Sequence, residues 1–249
     1  MAQVTIKSVS KNYVTDGRTV SALKDVSLEL KDGEFVCVVG HSGCGKTTLL
    51  NILAGFLQPT AGEILIDGVS RVKANPSIGV VFQEYALFPW RTALENIAFG
   101  LEMNGTNKAE SQAEAARFLD LVHLGEFASA YPHQLSGGMR QRVAVARALA
   151  YEPGLLLMDE PFGALDAQTR ERLQTLTQEI WQATHKTIFY VTHNISEAVY
   201  LGEKVVIMRP DPGHIHDVVK IDLPRPRDPL GDEFIEIQRH ITREIKHGE

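Results

Sequence analysis

The stretch Gly40-His-Ser-Gly-Cys-Gly-Lys46-Thr47-Thr48 constrains this chain more than any other. It has the spacing G-x-x-x-x-G-K-[ST], and its flanks give that spacing meaning. Before it, Phe35–Val39 is an unbroken apolar run, as in a strand buried on both faces. After it, Lys46–Ala54 has the pattern of a helix that stops at Gly55. A strand, a glycine turn and a helix start together suit a dense anion such as a triphosphate. Glycines let backbone N–H groups converge without side chains in the way. The helix start adds its positive dipole end. Lys46 brings a point charge for terminal phosphates, and the Thr47 hydroxyl can ligate Mg²⁺. The candidate nucleotide-binding residues here are Gly40, His41, Ser42, Gly43, Cys44, Gly45, Lys46, Thr47 and Thr48.

The rest of the chain supplies a fold for that loop. Val4–Ser8 and Val26–Leu30 alternate as half-buried strands do, and Glu63–Ile66 leads into a tight turn at Asp67-Gly68. Ile78–Phe82, Leu155–Met158, Thr187–Val191 and Val205–Met208 read as buried strands, while Lys108–His123, Gly137–Ala150 and Ala167–Ala183 read as helices. Apolar strands alternating with helices predict a parallel α/β core. The stretch from about Tyr85 to Glu152 shows helices and no clear strand, so it reads as an inserted helical subdomain. The expected division is a core over 1–84 and 153–223, a helical insertion over 85–152, and a tail with a final helix over 224–249. Arg209–Pro229 reads as a charged, proline-containing tail. Beyond it Phe234, Ile237, Ile241 and Ile245 recur at helical spacing, which predicts a helix docked on the chain's own core; a regulatory or partner-binding helix is the other reading.

Composition excludes several classes. A net charge of −6 over 249 residues gives no global basic field, so no nucleic-acid partner is expected and an anion must be held by local groups. Two cysteines, Cys37 and Cys44, point to a reducing compartment and not to a disulfide framework. No run approaches the ~20 apolar residues of a membrane span, so any membrane role must come through a partner.

Two further constellations carry chemistry. Leu155–Met158 ends in Asp159-Glu160, two carboxylates at the end of a strand. Asp159 suits the Mg²⁺ shell and Glu160 suits a general base that polarises an attacking water; without the phosphate loop the pair reads equally well as a solvated corner. Leu135-Ser136-Gly137-Gly138-Met139 opens a helix with a serine and two glycines, which is either an ordinary N-cap or a second anion site. One nucleotide needs one cradle for its terminal phosphate. A second cradle makes sense if it faces the nucleotide of another copy, which predicts a head-to-tail homodimer.

The set resembles the ATP-binding-cassette family over nearly the whole chain: phosphate loop, LSGGM-type signature and Asp159-Glu160 occur in the family's order. Met139 departs from the glutamine most common there, but Ser136 and the backbone donors are unchanged. The resemblance implies a P-loop NTPase (RecA-like) core with an N-terminal antiparallel β subdomain, and ATP with Mg²⁺ as ligands. It also implies roles for single residues. Tyr13 stacks on adenine, Gln83 senses Mg²⁺ and contacts the membrane subunit, Asp166 crosses the dimer, and His193 contacts the γ-phosphate. Glu160, His193 and Gln83 are then catalytic, and Thr47, Gln83 and Asp159 serve the metal.

The string Leu87-Phe-Pro-Trp90-Arg-Thr92 is similar to that of importers for nitrate, sulfonates and taurine, as are Pro212-Gly213-His-Ile and Leu223-Pro-Arg-Pro-Arg227. That branch implies a peripheral ATPase at the cytoplasmic face of the inner membrane. Its partners are permease subunits and, indirectly, an extracytoplasmic solute-binding protein. An apolar loop at Phe88–Trp90 is costly to expose, which suggests a surface for the membrane subunit; packing under the helical subdomain is the other reading. Rival functions are a non-transport ATPase of the same family and a monomeric P-loop kinase, which would leave the Ser136–Gly138 turn unexplained.

Overall fold

A computed structural model describes residues 2–15, 17–70 and 77–246. In chain order its elements begin with β1 (Val4–Thr15), β2 (Arg18–Leu30), β3 (Phe35–Gly40), α1 (Lys46–Leu53), β4 (Ala61–Ile66) and β5 (Val69–Ser70). Then come β6 (Ile78–Val81), α2 (Ala93–Met103), α3 (Lys108–Leu121), α4 (Gly137–Ala150), β7 (Leu155–Asp159) and α5 (Ala167–Thr184). The last are β8 (Thr187–Val191), α6 (Ile195–Leu201), β9 (Lys204–Arg209), β10 (His214–Lys220) and α7 (Asp232–Lys246). They form two compact units, Met1–Asn75 with His185–Glu249, and Pro76–Thr184.

In the first unit every residue of β3 is buried, which fits its unbroken apolar run. β3 runs parallel to β8 on one side and to β9 on the other, with Val38 opposite Val191 and Gly40 opposite Met208. β10 adds antiparallel to β9. Burying side chains such as Phe35, Val36 and Val38 stabilises this layer by about 1.5–3 kcal/mol each. A separate antiparallel sheet has the order β2-β1-β4-β5. Its β4–β5 turn is Asp67-Gly68, both at positive φ as a tight hairpin turn requires.

Three differences from the sequence reading have physical causes. β1 and β2 run well past Val4–Ser8 and Val26–Leu30, but register shifts between Ile6 and Lys11 break the alternation that marks a strand. β10 lies inside the presumed charged tail. It is an edge strand whose exposure alternates from Ile215 to Lys220, but Asp217 on the inner side and Val218 on the outer side leave no apolar–polar alternation in the sequence. α2 follows the Leu87–Thr92 string and starts in a capping box, Thr92 with Glu95, a signal present in the sequence.

The tail is also anchored. Arg227 is buried and donates to the carbonyls of Val199, Tyr200, Gly202 and Ile221; Arg225 donates to those of Tyr200 and Leu201. The two guanidiniums thereby satisfy the exposed carbonyl end of α6. Burial pushes the Arg227 guanidinium down to about 10, so it stays charged at neutral pH. α7 packs on α6 and β9 with Phe234 and Ile241 buried, so the final helix docks on the chain's own core as its spacing predicts.

In the second unit β6 and β7 pair in parallel, and α2, α3 and α4 pack on one another. No described helix is long and apolar enough to cross a membrane.

Candidate functional site

The phosphate loop leaves β3 at Gly40 and enters α1 at Lys46. Gly45 is the N-cap of α1 at φ 92, in the left-handed region, and gives α1 no side-chain cap. A Cβ there would meet Leu23 Cδ2 at 2.5 Å and the Ala22 carbonyl at 2.9 Å, so only glycine fits. With no side-chain cap and no acidic residue in its first turn, the start of α1 keeps its positive end for an external anion. Lys46 is buried, and its ammonium donates to the carbonyls of Gly40 at 2.9 Å and His41 at 3.1 Å. The cation is thereby held against its own loop. Burial raises the Cys44 thiol, and both cysteines are buried and free, consistent with packing roles. The cradle, the held ammonium and the Thr47 hydroxyl fit a phosphate chain with a divalent cation.

The same unit brings two more predicted residues toward this loop. The backbone N–H of Thr192 donates to Val38 at 3.1 Å, so β8 ends beside β3 and His193 follows directly. His193 is exposed and sits in a fixed turn: Asn194 caps α6 by accepting from Glu197, and Asn194 N–H donates to the Thr192 hydroxyl. Thr192 in turn donates to the Glu197 carboxylate. Tyr13 lies on β1 opposite Val20, two residues from the Ala22 carbonyl that touches the loop at Gly45. Tyr13 is 37% exposed, and Lys11 Nζ lies over its ring 5.3 Å from the centroid.

Gln83, Ser136, Gly137, Gly138, Asp159, Glu160 and Asp166 belong to the second unit. Ser136 caps α4, its hydroxyl accepting from Met139 N–H at 3.2 Å. A Cβ on Gly138 would meet Thr169 Cγ2 at 2.5 Å, so this glycine lets α4 close on α5. The signature turn is thus packed on the turn that Asp166 organises. Asp166 accepts from Thr169 N–H at 3.0 Å, and that bond holds its carboxyl below the usual range. Glu160 follows β7 at φ 43, an uncommon conformation for a side-chain-bearing residue. Arg170 closes the loop after it by donating to the carbonyls of Phe162 and Leu165. Gln83 is exposed just beyond β6.

Two positioning residues escaped the sequence reading. Arg140 and Arg147, seven apart on α4, hold the loop that follows Gln83. Arg147 donates to the carbonyls of Ala86 and Tyr85, and Arg140 lies over the Tyr85 ring at 5.3 Å. Their common helix face is a visible signal, but it names no partner. In the same loop Phe88 packs against Phe99 at 4.6 Å while Trp90 stays 71% exposed. Packing under the helices therefore accounts for Phe88 and not for Trp90.

Residues 23–163 match the family model described as ABC transporter. An ABC transporter ATP-binding protein of Methanocaldococcus jannaschii is 50% identical over 97% of this chain and 90% of its own length. The taurine import ATP-binding protein TauB of Roseobacter denitrificans is 49% identical over 87% of this chain and 81% of its own. The aliphatic sulfonates import ATP-binding protein SsuB of Bacillus cereus is 44% identical over 98% and 96%. A solved dimeric ATP-binding cassette, in a post-hydrolysis state with ADP and Pi, superposes with a TM-score of 0.78 at 36% identity, covering 89% of this chain and 100% of that one.

Proposed function

The chain belongs to the ABC transporter family and is an ATPase, and from that premise we propose that it drives uptake of a small organic or inorganic anion through membrane permease subunits. The observation that carries the reading is the phosphate loop: a glycine cradle, an uncapped helix start and a held ammonium. Relatives named as taurine and sulfonate import proteins favour an importer over a non-transport ATPase or a kinase. Taurine or another sulfonate is the preferred solute, with nitrate as a further candidate.

In this reading two copies close on two ATP molecules at the cytoplasmic face of the membrane. Lys46 and the loop amides of one copy hold the phosphates, and Tyr13 stacks on the base. Ser136 and the glycines after it, from the other copy, meet the same terminal phosphate. The capping bond leaves the Ser136 hydroxyl proton available, since a hydroxyl both accepts and donates. Glu160 takes the proton of the attacking water, and His193 orients that water along the line of attack. Bound Mg²⁺ supplies charge neutralisation on the phosphate oxygens, with Thr47, Asp159 and Gln83 as its holders. Asp166 lies at the turn that joins the two copies. Gln83 and the exposed Trp90 of the following loop pass closure to the permease, and an extracytoplasmic solute-binding protein delivers the anion.

Glu160→Gln is expected to lower turnover by about 10²–10⁴-fold while leaving ATP binding intact. Steady-state phosphate release beside nucleotide binding checks this, and near-normal turnover would place the base elsewhere. For the solute, a strain lacking this chain should lose uptake of labelled taurine or an alkanesulfonate. Unchanged uptake of both would redirect the assignment to another anion.

A further inference from the structure

α7 reaches the phosphate loop. Its penultimate residue offers a carbonyl, Ile245 O, 3.3 Å from Nε2 of His41, across 204 residues of sequence. A carbonyl only accepts, so Nε2 carries the proton and His41 donates. The residue before it, Glu244, is the anchor of that turn. Its carboxylate lies 3.0 Å from His216 Nε2 on β10 and 3.7 Å from the Arg209 guanidinium at the end of β9, and Arg209 also donates to the Glu244 carbonyl. Arg209 directly follows Met208, which pairs with Gly40 at the mouth of the loop. That contact is tight: a Cβ on Gly40 would lie 2.3 Å from the Met208 carbonyl.

The other face of His41 leads to Lys46. The His41 carbonyl accepts from the Lys46 ammonium at 3.1 Å. A continuous path therefore runs from Glu244 and Ile245, through the His41 ring and backbone, to the cation that meets the phosphates. Every member lies in one compact unit.

We propose that the last turn of α7 is a strap on the phosphate loop, and that His41 is a positioning residue through which it sets the place of Lys46. The helix is then a regulatory input: whatever lifts its last turn weakens ATP binding without touching the hydrolytic groups. The inference rests on the reading of this loop as the ATP site.

The test is ATP binding by the full chain, titrated with a fluorescent ATP analogue, beside steady-state turnover at saturating ATP. His41→Ala and Glu244→Ala should each weaken binding by about two- to tenfold, the worth of one hydrogen bond. Maximal turnover of the Glu244→Ala variant, altered outside the loop, should change far less, so its effect falls on KM and not on kcat. The double variant should be no weaker than the more affected single one, because both cut one path. His41→Gln, which keeps an N–H donor, should recover much of the affinity. Thermal unfolding of each variant should stay near that of the unaltered chain. Normal affinity in both single variants, fully additive losses in the double, or losses tracking a fall in unfolding temperature would each overturn the strap while leaving the ATP site standing. An unaltered chain that bound no ATP would remove the site and the strap together.

Discussion

The starts of α1 and α4 are both glycine-rich, and both are proposed to meet a phosphate, yet they are built oppositely. α1 begins at a left-handed glycine with no side-chain cap, and a lysine folds over its mouth. α4 begins at a serine that caps its own helix. A helix with its own cap stands stable without a ligand, whereas an uncapped one leaves its amides for an external acceptor. On the proposed reading, the contrast makes the α1 loop the primary binding site. The α4 turn is a preformed surface, and it is proposed to add its hydroxyl and glycine amides when the other copy's nucleotide is brought to it.

Changes at the two starts should therefore separate in distinct assays. The largest effect is expected from Lys46→Ala. Loss of charge-assisted bonds worth about 1.5–3 kcal/mol each should weaken ATP binding about a hundredfold. Titration of the chain alone reads this, and undiminished affinity would break the comparison at its first member. Gly45→Ala comes next. The added methyl meets Leu23 and Ala22 in a strained conformation, at a cost of about 1–3 kcal/mol. A lower midpoint in urea, together with weakened ATP binding, is the expected result.

The smallest effect sharpens the contrast. Ser136→Ala removes a cap worth about 1 kcal/mol, and so does Thr92→Ala at α2. Both should lower the denaturation midpoint alike, and neither should alter ATP binding by the single chain. Only Ser136→Ala should also reduce turnover and nucleotide-dependent dimer formation, measured by light scattering with ATP. Equal turnover in the two variants would reduce the signature serine to a cap.

Much of this was legible because it is local. Phe35–Val39, the glycines to Gly45 and Lys46 form a contiguous pattern whose chemistry needs neighbours in sequence only, while the contiguous Asp159-Glu160 pair takes its meaning from that loop. The Thr92–Glu95 capping box is equally local, a sequence signal for the start of α2 just after the Leu87–Trp90 string. β10 was not legible: its exposure alternates, but an edge strand buries too little to demand apolar residues, so Asp217 faces the inner side and Val218 the outer.

By itself the sequence determined the α/β alternation, the loop with its lysine, the paired carboxylates and the family. Residues a few positions apart on a strand or helix must lie together, so these features survive any arrangement of the rest. Only the tertiary structure decided that Thr169 demands glycine at 138, that Arg147 holds the carbonyls after Gln83, that Arg227 closes α6, and that Ile245 meets His41. Each joins elements far apart in the chain. Such contacts depend on how strands are ordered and helices docked, and no short-range periodicity encodes that.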